Sequence, residues 1–161
     1  MGSGSSDQGS HAVELRAMHA HDCYELGKKL RGDDQLELML LSGGHNGAAG
    51  LERAWDESTE SWAWSVDGAV VACGGVVRVE DGSGIGWLVC SDAALADRAL
   101  FCRWARAALW LVCSRYPHLC ADTLVSTGHG GWLEWLGFTP GEEREVEGFT
   151  FRRYYGTFVR E

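Results

Sequence analysis

Proline is nearly absent: Pro117 and Pro140 are the only two in 161 residues. That leaves no proline-rich linker, and with no internal repeat or low-complexity tract to divide the chain, a single domain is expected. The six cysteines (Cys23, Cys73, Cys90, Cys102, Cys113 and Cys120) include no C-x-x-C pair, which speaks against a metal site or a disulfide framework. Four of them fall inside predicted strands or helices among apolar neighbours, so they read as small buried thiols and favour a reducing, cytoplasmic setting. No window approaches the roughly 18 uninterrupted apolar residues of a membrane span. Even the most apolar helical stretch carries Arg98, Arg103, Arg106 and Arg115, so a soluble protein is expected. Positive charge is scarce as well. Fourteen Lys and Arg face 23 Asp and Glu, a formal net charge of −9. Nucleic acid is therefore an unsuitable partner, because binding phosphates needs clustered basic groups that release counterions. A cationic or amine-bearing partner suits this acidity better.

What is present is a globular composition, 45% apolar and 23% charged, at the size of one domain. Residues 1–10 contain no apolar side chain after Met1 and read as a flexible leader ahead of a domain over 11–161. The run Val13 to Met18 alternates and predicts a strand. His21-Asp22 suits the cap of a helix through Tyr24, Leu26 and Leu30. Further helices are predicted over Asp33 to Leu41, stopped by Ser42-Gly43-Gly44, and over Ala48 to Glu57.

Ser61 to Val66 alternates strictly and is followed by Asp67-Gly68, a strong two-residue hairpin signal, and then by the strand Ala69 to Val79. The pair Gly74-Gly75 inside that strand predicts a bulge or a close backbone approach. A turn at Asp81 to Gly84 leads to a strand ending near Ser91. A long helix over Ala96 to Tyr116 follows, capped by Ser91 or Asp92 and stopped before Pro117. Its predicted buried arc is Leu100, Phe101, Trp104, Ala107, Ala108, Leu111 and Val112, with the arginines opposite. Cys120 to Ser126 predicts another strand and Gly131 to Leu136 a short helix. Gly141 to Val159 predicts two strands turning at Glu147-Gly148, with Phe149, Phe151, Tyr154 and Phe158 as packing residues.

The series of strand, long helix, strand and short helix, ending in Trp135-Leu136-Gly137-Phe138, resembles the acyl-CoA-binding half of the Gcn5-related N-acetyltransferase superfamily. The resemblance covers most of the chain after residue 10. It implies an α+β domain with a mostly antiparallel sheet of six to seven strands, helices on both faces and a central β-α-β unit whose parallel strands part to admit acetyl-CoA. The roles of that unit would fall to Val89, Cys90 and Ser91, offering backbone groups to the pantetheine, and to Ala96, Asp97 and Arg98 at the start of the helix. A helix N-terminus is suited to the pyrophosphate because its free N–H groups carry the positive end of the dipole.

Two motifs of that superfamily are altered. Its phosphate loop, usually [Q/R]-x-x-G-x-[G/A], stands here as Ser91-Asp92-Ala93-Ala94-Leu95-Ala96-Asp97-Arg98, with no glycine and two aspartates that repel phosphate. Arg98 either offsets them by pairing with phosphate or is a solvated helix arginine. The tyrosine that protonates the departing thiolate is replaced by Leu133, and the asparagine region before it by Ser126-Thr127-Gly128-His129.

Three spaced segments are similar to a narrower set, the acetyltransferase-like and internal virion proteins of tailed bacteriophages: Trp87 to Asp92, Arg115-Tyr116-Pro117 and Trp132 to Phe138. This similarity implies a phage protein of the host cytoplasm or the virion. For proton removal from an acceptor amine the candidates are Glu80, Asp81, His129 and Glu134; of these His129, with the best-placed ordinary pKa, and Glu80 are taken forward, each of which is otherwise a loop or turn residue. Two functions are expected from different classes. One is an acetyl-CoA-dependent N-acetyltransferase acting on a primary amine by direct transfer. The other is a catalytically inert descendant serving virion assembly or binding a host protein.

Overall fold

The computed structural model describes residues 12–45 and 47–157. The expected leader, and Phe158 and Val159 of the expected last strand, lie outside them. The described chain runs β1 (Val13–Ala17), α1 (Ala20–Gly27), α2 (Gly32–Leu41), α3 (Gly47–Glu57), β2 (Glu60–Val66), β3 (Ala69–Arg78), β4 (Gly84–Cys90), α4 (Arg98–Cys113), β5 (His118–Leu124), α5 (His129–Trp135), β6 (Thr139–Val146) and β7 (Phe149–Thr157). The strands form one sheet in the order β1-β2-β3-β4-β5-β7-β6. Every neighbouring pair is antiparallel except β4 and β5. This is the α+β architecture with a central β-α-β unit. No helix among the described residues is long and apolar enough to cross a membrane.

Turn chemistry sets the hairpins. Asp67 and Gly68 have φ of 51° and 85°, and Glu147 and Gly148 have 51° and 84°. Two successive left-handed residues match the twist of the flanking strands and close a two-residue loop. In β3 the glycine pair marks a close approach, and the bulge of this strand lies away from it at Val71, opposite Trp64 and Ser65. A Cβ on Gly75 would lie 2.7 Å from Trp87 Nε1 and 2.8 Å from the Glu60 carbonyl.

Helices cover both faces. On one, α1 and α3 bury Leu26 and Leu51 against Ala63, Cys73 and Val89 of the sheet; α1 stops at Gly27, short of the expected Leu30, which is buried in the same cluster from the link after it. On the other, α4 brings Phe101, Trp104 and Ala108 to Trp64, Ala72 and Cys90, while α5 packs Leu133 against Val76, Leu119 and Tyr154. These burials supply most of the folding drive, at about 25 cal/mol per Å² of apolar surface.

Several local expectations are corrected. Helix α1 is capped by His19, whose amide donates to Asp22 Oδ2 at 2.8 Å. Asp22 is buried in the first turn and held by both guanidinium nitrogens of Arg16 at 2.7 and 2.8 Å. Helix α4 starts at Arg98, not Ala96, because Asp92–Leu95 forms a separate 3-10 turn. It ends at Cys113, and Tyr116 drops into the core beside Val112 and Leu119. The buried arc of α4 is rotated, so Leu111 and Ala107 are exposed while Leu109 and Val112 pack inward. Strand β5 begins at His118, two residues early, because Leu119 fills that same core.

Candidate functional site

Strands β4 and β5 pair only where Gly84–Gly86 meets Leu119–Ala121. Each then follows its outer neighbour, β4 staying on β3 to Cys90 and β5 staying on β7 to Leu124. The sheet therefore opens over the last four residues of β4. Helix α2 crosses the far end of this gap as a crossbar. The Arg31 amide donates to the Cys90 carbonyl at 3.0 Å, and the Cys90 amide donates to Asp34 Oδ2 at 2.8 Å. One helical turn on, Glu37 Oε1 accepts from Thr123 Oγ1 at 2.6 Å and from the Leu124 amide at 2.9 Å.

Peptide direction alternates along an antiparallel strand, which decides what β4 presents to the gap. Ser91 donates its amide to Val71 on β3 at 2.9 Å and its hydroxyl to the same carbonyl at 3.2 Å. Val89 shares that direction, so both turn away from the gap, and the Cys90 amide belongs to Asp34. The peptide group that alternation aims at the gap is that of Leu88, one position before the three residues expected from sequence.

The start of α4 is also reassigned. Asp97 is its N-cap, with Oδ1 accepting from the Leu100 amide at 3.1 Å, and Ala96 closes the preceding turn by donating to Ala93. A carboxylate thus takes one of the helix's free amides. Arg98, the first helical residue, lines the groove.

That groove, about 510 Å³, lies between the opened sheet and the helices α4 and α5, within the usual size of small-molecule sites. Its floor is Trp62, Trp64, Gly74, Gly86 and Leu88, and its roof includes Phe101, Ala105 and Ala108. Phe101 and Trp132 stack at 5.9 Å between centroids, joining the two helices. The tryptophans shape the groove without filling it. Trp64 is buried, and Trp87 donates Nε1–H to Ser58 Oγ at 2.8 Å.

Asp34, Glu37 and His129 meet at the inner end, their polar atoms within 4.8 Å of one another. His129 Nδ1 lies 3.6 Å from Glu37 Oε1, and its Nε2 is buried with no partner among the described residues. Hydrogen bonding and charge from Glu37 raise the His129 pKa above its ordinary value against the opposing effect of burial. Burial pushes Asp34 up, opposed by the Cys90 amide. The donor set resembles that of a cation site, but the Glu37 and Asp34 oxygens nearest the strands already carry strand donors, and a histidine beside two carboxylates is an arrangement able to hold or pass a proton. In the sequence Asp33 and Asp34 stand at the start of the predicted helix, where acidic side chains suit its N-terminus. The available signal was the spacing of Asp34, Glu37 and Leu38, which puts two acids on the buried face of α2.

The structure brings His129 into this cluster and leaves Glu80 out. Glu80 is exposed in the β3–β4 turn, at the end of β4 opposite the gap. Gly128, with φ of 77°, makes the left-handed turn that delivers His129 to the start of α5. Leu133 is buried in the core and has no proton to give. All six cysteines are free. Burial, with the charge of Asp34 added, pushes the Cys90 thiol up to about 12, far from a nucleophile's range.

No protein-family model and no curated protein sequence matches the chain. Solved structures do. The ribosomal-protein-S18-alanine N-acetyltransferase of Escherichia coli superposes with a TM-score of 0.68 at 10% identity, covering 93% of this chain and 96% of that one. The aminoglycoside acetyltransferase AAC(6')-Ib, in complex with ribostamycin and coenzyme A, gives 0.66 at 15% identity over 91% and 93%. A GNAT-family acetyltransferase from Bacillus anthracis gives 0.65 at 10% identity over 89% and 92%. At these identities the fold is what is shared: the chain has the fold of the Gcn5-related acetyltransferases.

Proposed function

We propose that this chain is an N-acetyltransferase that uses acetyl-CoA and acts on a primary amine by direct transfer. The observation that carries the reading is the opening between β4 and β5, with an apolar groove along one side and a histidine-carboxylate cluster at its inner end. Similarity to acetyltransferases solved with coenzyme A supports it. The groove fits the pantetheine arm: the Leu88 peptide offers a donor and an acceptor along it, and Phe101, Ala105 and Ala108 exclude water. The start of α4 fits a diphosphate poorly, since the Asp97 carboxylate takes the Leu100 amide and places a negative charge there. Bound in the groove, acetyl-CoA supplies an acetyl thioester, and its transfer forms an amide with the amine nitrogen and frees the thiol.

The protein's part is proton handling and charge. Neutral His129 accepts the proton the amine must lose, and ionised Glu37 favours the imidazolium that results. Asp34 and Glu37 make the inner end acidic, which suits a cationic acceptor; amines of proteins and of aminoglycosides are acted on by proteins of this fold. With Leu133 in place of a tyrosine, the thiolate takes its proton from solvent.

A second reading is a catalytically inert phage protein of the host cytoplasm or virion, acting in assembly or on a host protein. The Asp97 cap and Leu133 favour it. Calorimetry and thermal shift with acetyl-CoA, then product mass analysis with a panel of primary amines, test both. A micromolar site gives a rise of about 4 kcal/mol in stability at a thousandfold excess over Kd, and His129→Gln then abolishes most amide formation. No shift and no product establish the inert reading.

A further inference from the structure

Among the described residues, helix α4 carries three neighbouring arginines, Arg98, Arg103 and Arg106, that no carboxylate pairs. No Asp or Glu occurs between Asp97 and Asp122. Most described arginines elsewhere meet a carboxylate, as Arg16 meets Asp22 and Arg153 meets Asp122. Among the described residues, Arg98 and Arg103 have no ion pair or side-chain hydrogen bond. Arg106 instead lies over the ring of Trp135, at 4.1 Å. In a chain of net charge −9, three arginines left together without counter-charge form a place where an anion is neutralised.

These residues are one surface. Arg98, Ala99, Cys102, Arg103, Arg106 and Trp135 line an open depression of about 570 Å³, and Arg98 and Cys102 line the main groove as well. The depression is therefore the outer continuation of the groove. Trp135 of α5 is 49% exposed and offers an aromatic face beside guanidinium groups, a surface suited to stacking a base.

We propose that Arg98, Arg103 and Arg106, with Trp135, bind the phosphorylated nucleotide end of the acyl donor through side chains, replacing the glycine-containing backbone loop that Ser91 to Arg98 does not supply. The inference rests on the acetyl-CoA reading and adds the residues that select a nucleotide-bearing donor. Arginine suits this role because its planar fork donates two parallel hydrogen bonds to a phosphate. Asp92, almost fully exposed with its carboxylate 3.8 Å from Arg31 Nε, and Asp97 keep phosphate away from the helix end and direct it to the outer face.

The test is calorimetry on the full chain with adenosine 3′,5′-bisphosphate, coenzyme A and pantetheine, alongside transfer assays with acetyl-CoA and acetyl-pantetheine. The wild type is expected to bind the bisphosphate with quenching of tryptophan fluorescence, and the quenching should disappear in Trp135→Phe. Replacing Arg98, Arg103 and Arg106 together by Gln should weaken coenzyme A by about tenfold or more, roughly one charge-assisted contact or better. Pantetheine binding and the melting temperature should stay unchanged. Equal coenzyme A affinity in wild type and triple variant overturns the inference. So does turnover of acetyl-pantetheine by a chain that ignores the bisphosphate, a result that leaves the transferase reading standing. Binding of an acidic carrier protein to the arginines with no binding of the nucleotide also overturns it. Bisphosphate bound through the arginines with no acetyl transfer from either donor upholds the anion site and removes the transferase.

Discussion

Asp34 and Glu37 stand one turn apart on α2, and each holds a different one of the two strands that part. Asp34 takes the Cys90 amide of β4, and Glu37 takes the Thr123 hydroxyl and Leu124 amide of β5. An opened sheet exposes strand ends that need partners, and here a single helix supplies them. The same carboxylates that brace the opening are the ones beside His129, so on the proposed function support and chemistry share residues.

Thr123→Val should therefore be costly. It removes the shorter hydrogen bond to a carboxylate that is nearly buried, and a loss of about 1–3 kcal/mol is expected for leaving such a group under-satisfied. Urea unfolding measures it. A loss confined to the melting of β5 amides in hydrogen exchange would place the effect at the brace, and an unchanged midpoint would show that α2 holds the strand by other contacts.

The pH dependence follows from the same pair. Glu37 raises the His129 pKa, so a histidine acting as base becomes neutral only above the usual value of about 6.5, and transfer should fall as pH drops below that raised value. Glu37→Gln keeps an acceptor but loses the charge, and should move the acid limb to lower pH. For stability the sign is the reverse of a carboxylate's. A raised folded-state pKa stabilises below the unfolded value, and the contribution is lost as pH rises through the folded one. An NMR titration of the imidazole in both proteins checks the shift directly.

Gly130→Ala tests the packing beneath α5. A methyl there would collide with the Tyr154 hydroxyl, and Tyr154 is buried among Leu133, Phe138 and Leu119. Overpacking of this kind costs about 1–3 kcal/mol. Tyr154→Phe removes the nearest atom, so the double variant should recover part of the loss, a coupling that thermal melts of the four proteins can read.

Thiol chemistry distinguishes the buried cysteines from reactive ones. Burial pushes Cys23 up to about 11 and Cys90 to about 12, with Cys73 higher still. None of the three should react with DTNB in the folded protein at neutral pH, and all should react in denaturant. Fast native labelling of Cys90 would mean that the gap opens further than the structure shows.

Patterns local to a few residues were legible in the sequence. Asp67-Gly68 and Glu147-Gly148 announced their hairpins because two-residue turns need those conformations. The long apolar stretch after Ser91 announced α4, and the order of elements announced the fold. What was hidden depends on contacts distant in sequence. Nothing near Asp34 shows that Cys90 will lie 2.8 Å away, and nothing near Ser91 shows that Val71 will take its amide. The rotation of α4 was hidden for a related reason: its apolar residues encircle more of the helix than one face, and only the groove decides which side turns in.

If acetyl-CoA binds as proposed, the Asp97 cap sets stability against its binding, and removal of the cap should separate the two. Asp97 Oδ1 accepts from the Leu100 amide at 3.1 Å, and replacing such a cap by Ala costs roughly 0.5–2 kcal/mol. The same change frees amides at the positive end of α4 and removes a negative charge from the mouth of the groove. Asp97→Ala should therefore melt earlier than wild type yet bind coenzyme A more tightly. Asp97→Asn, which keeps an oxygen acceptor without the charge, should lose less stability and keep most of the gain in affinity. If both variants lose affinity along with stability, the carboxylate holds the helix in the shape the ligand needs, and repulsion is not what governs binding at this end.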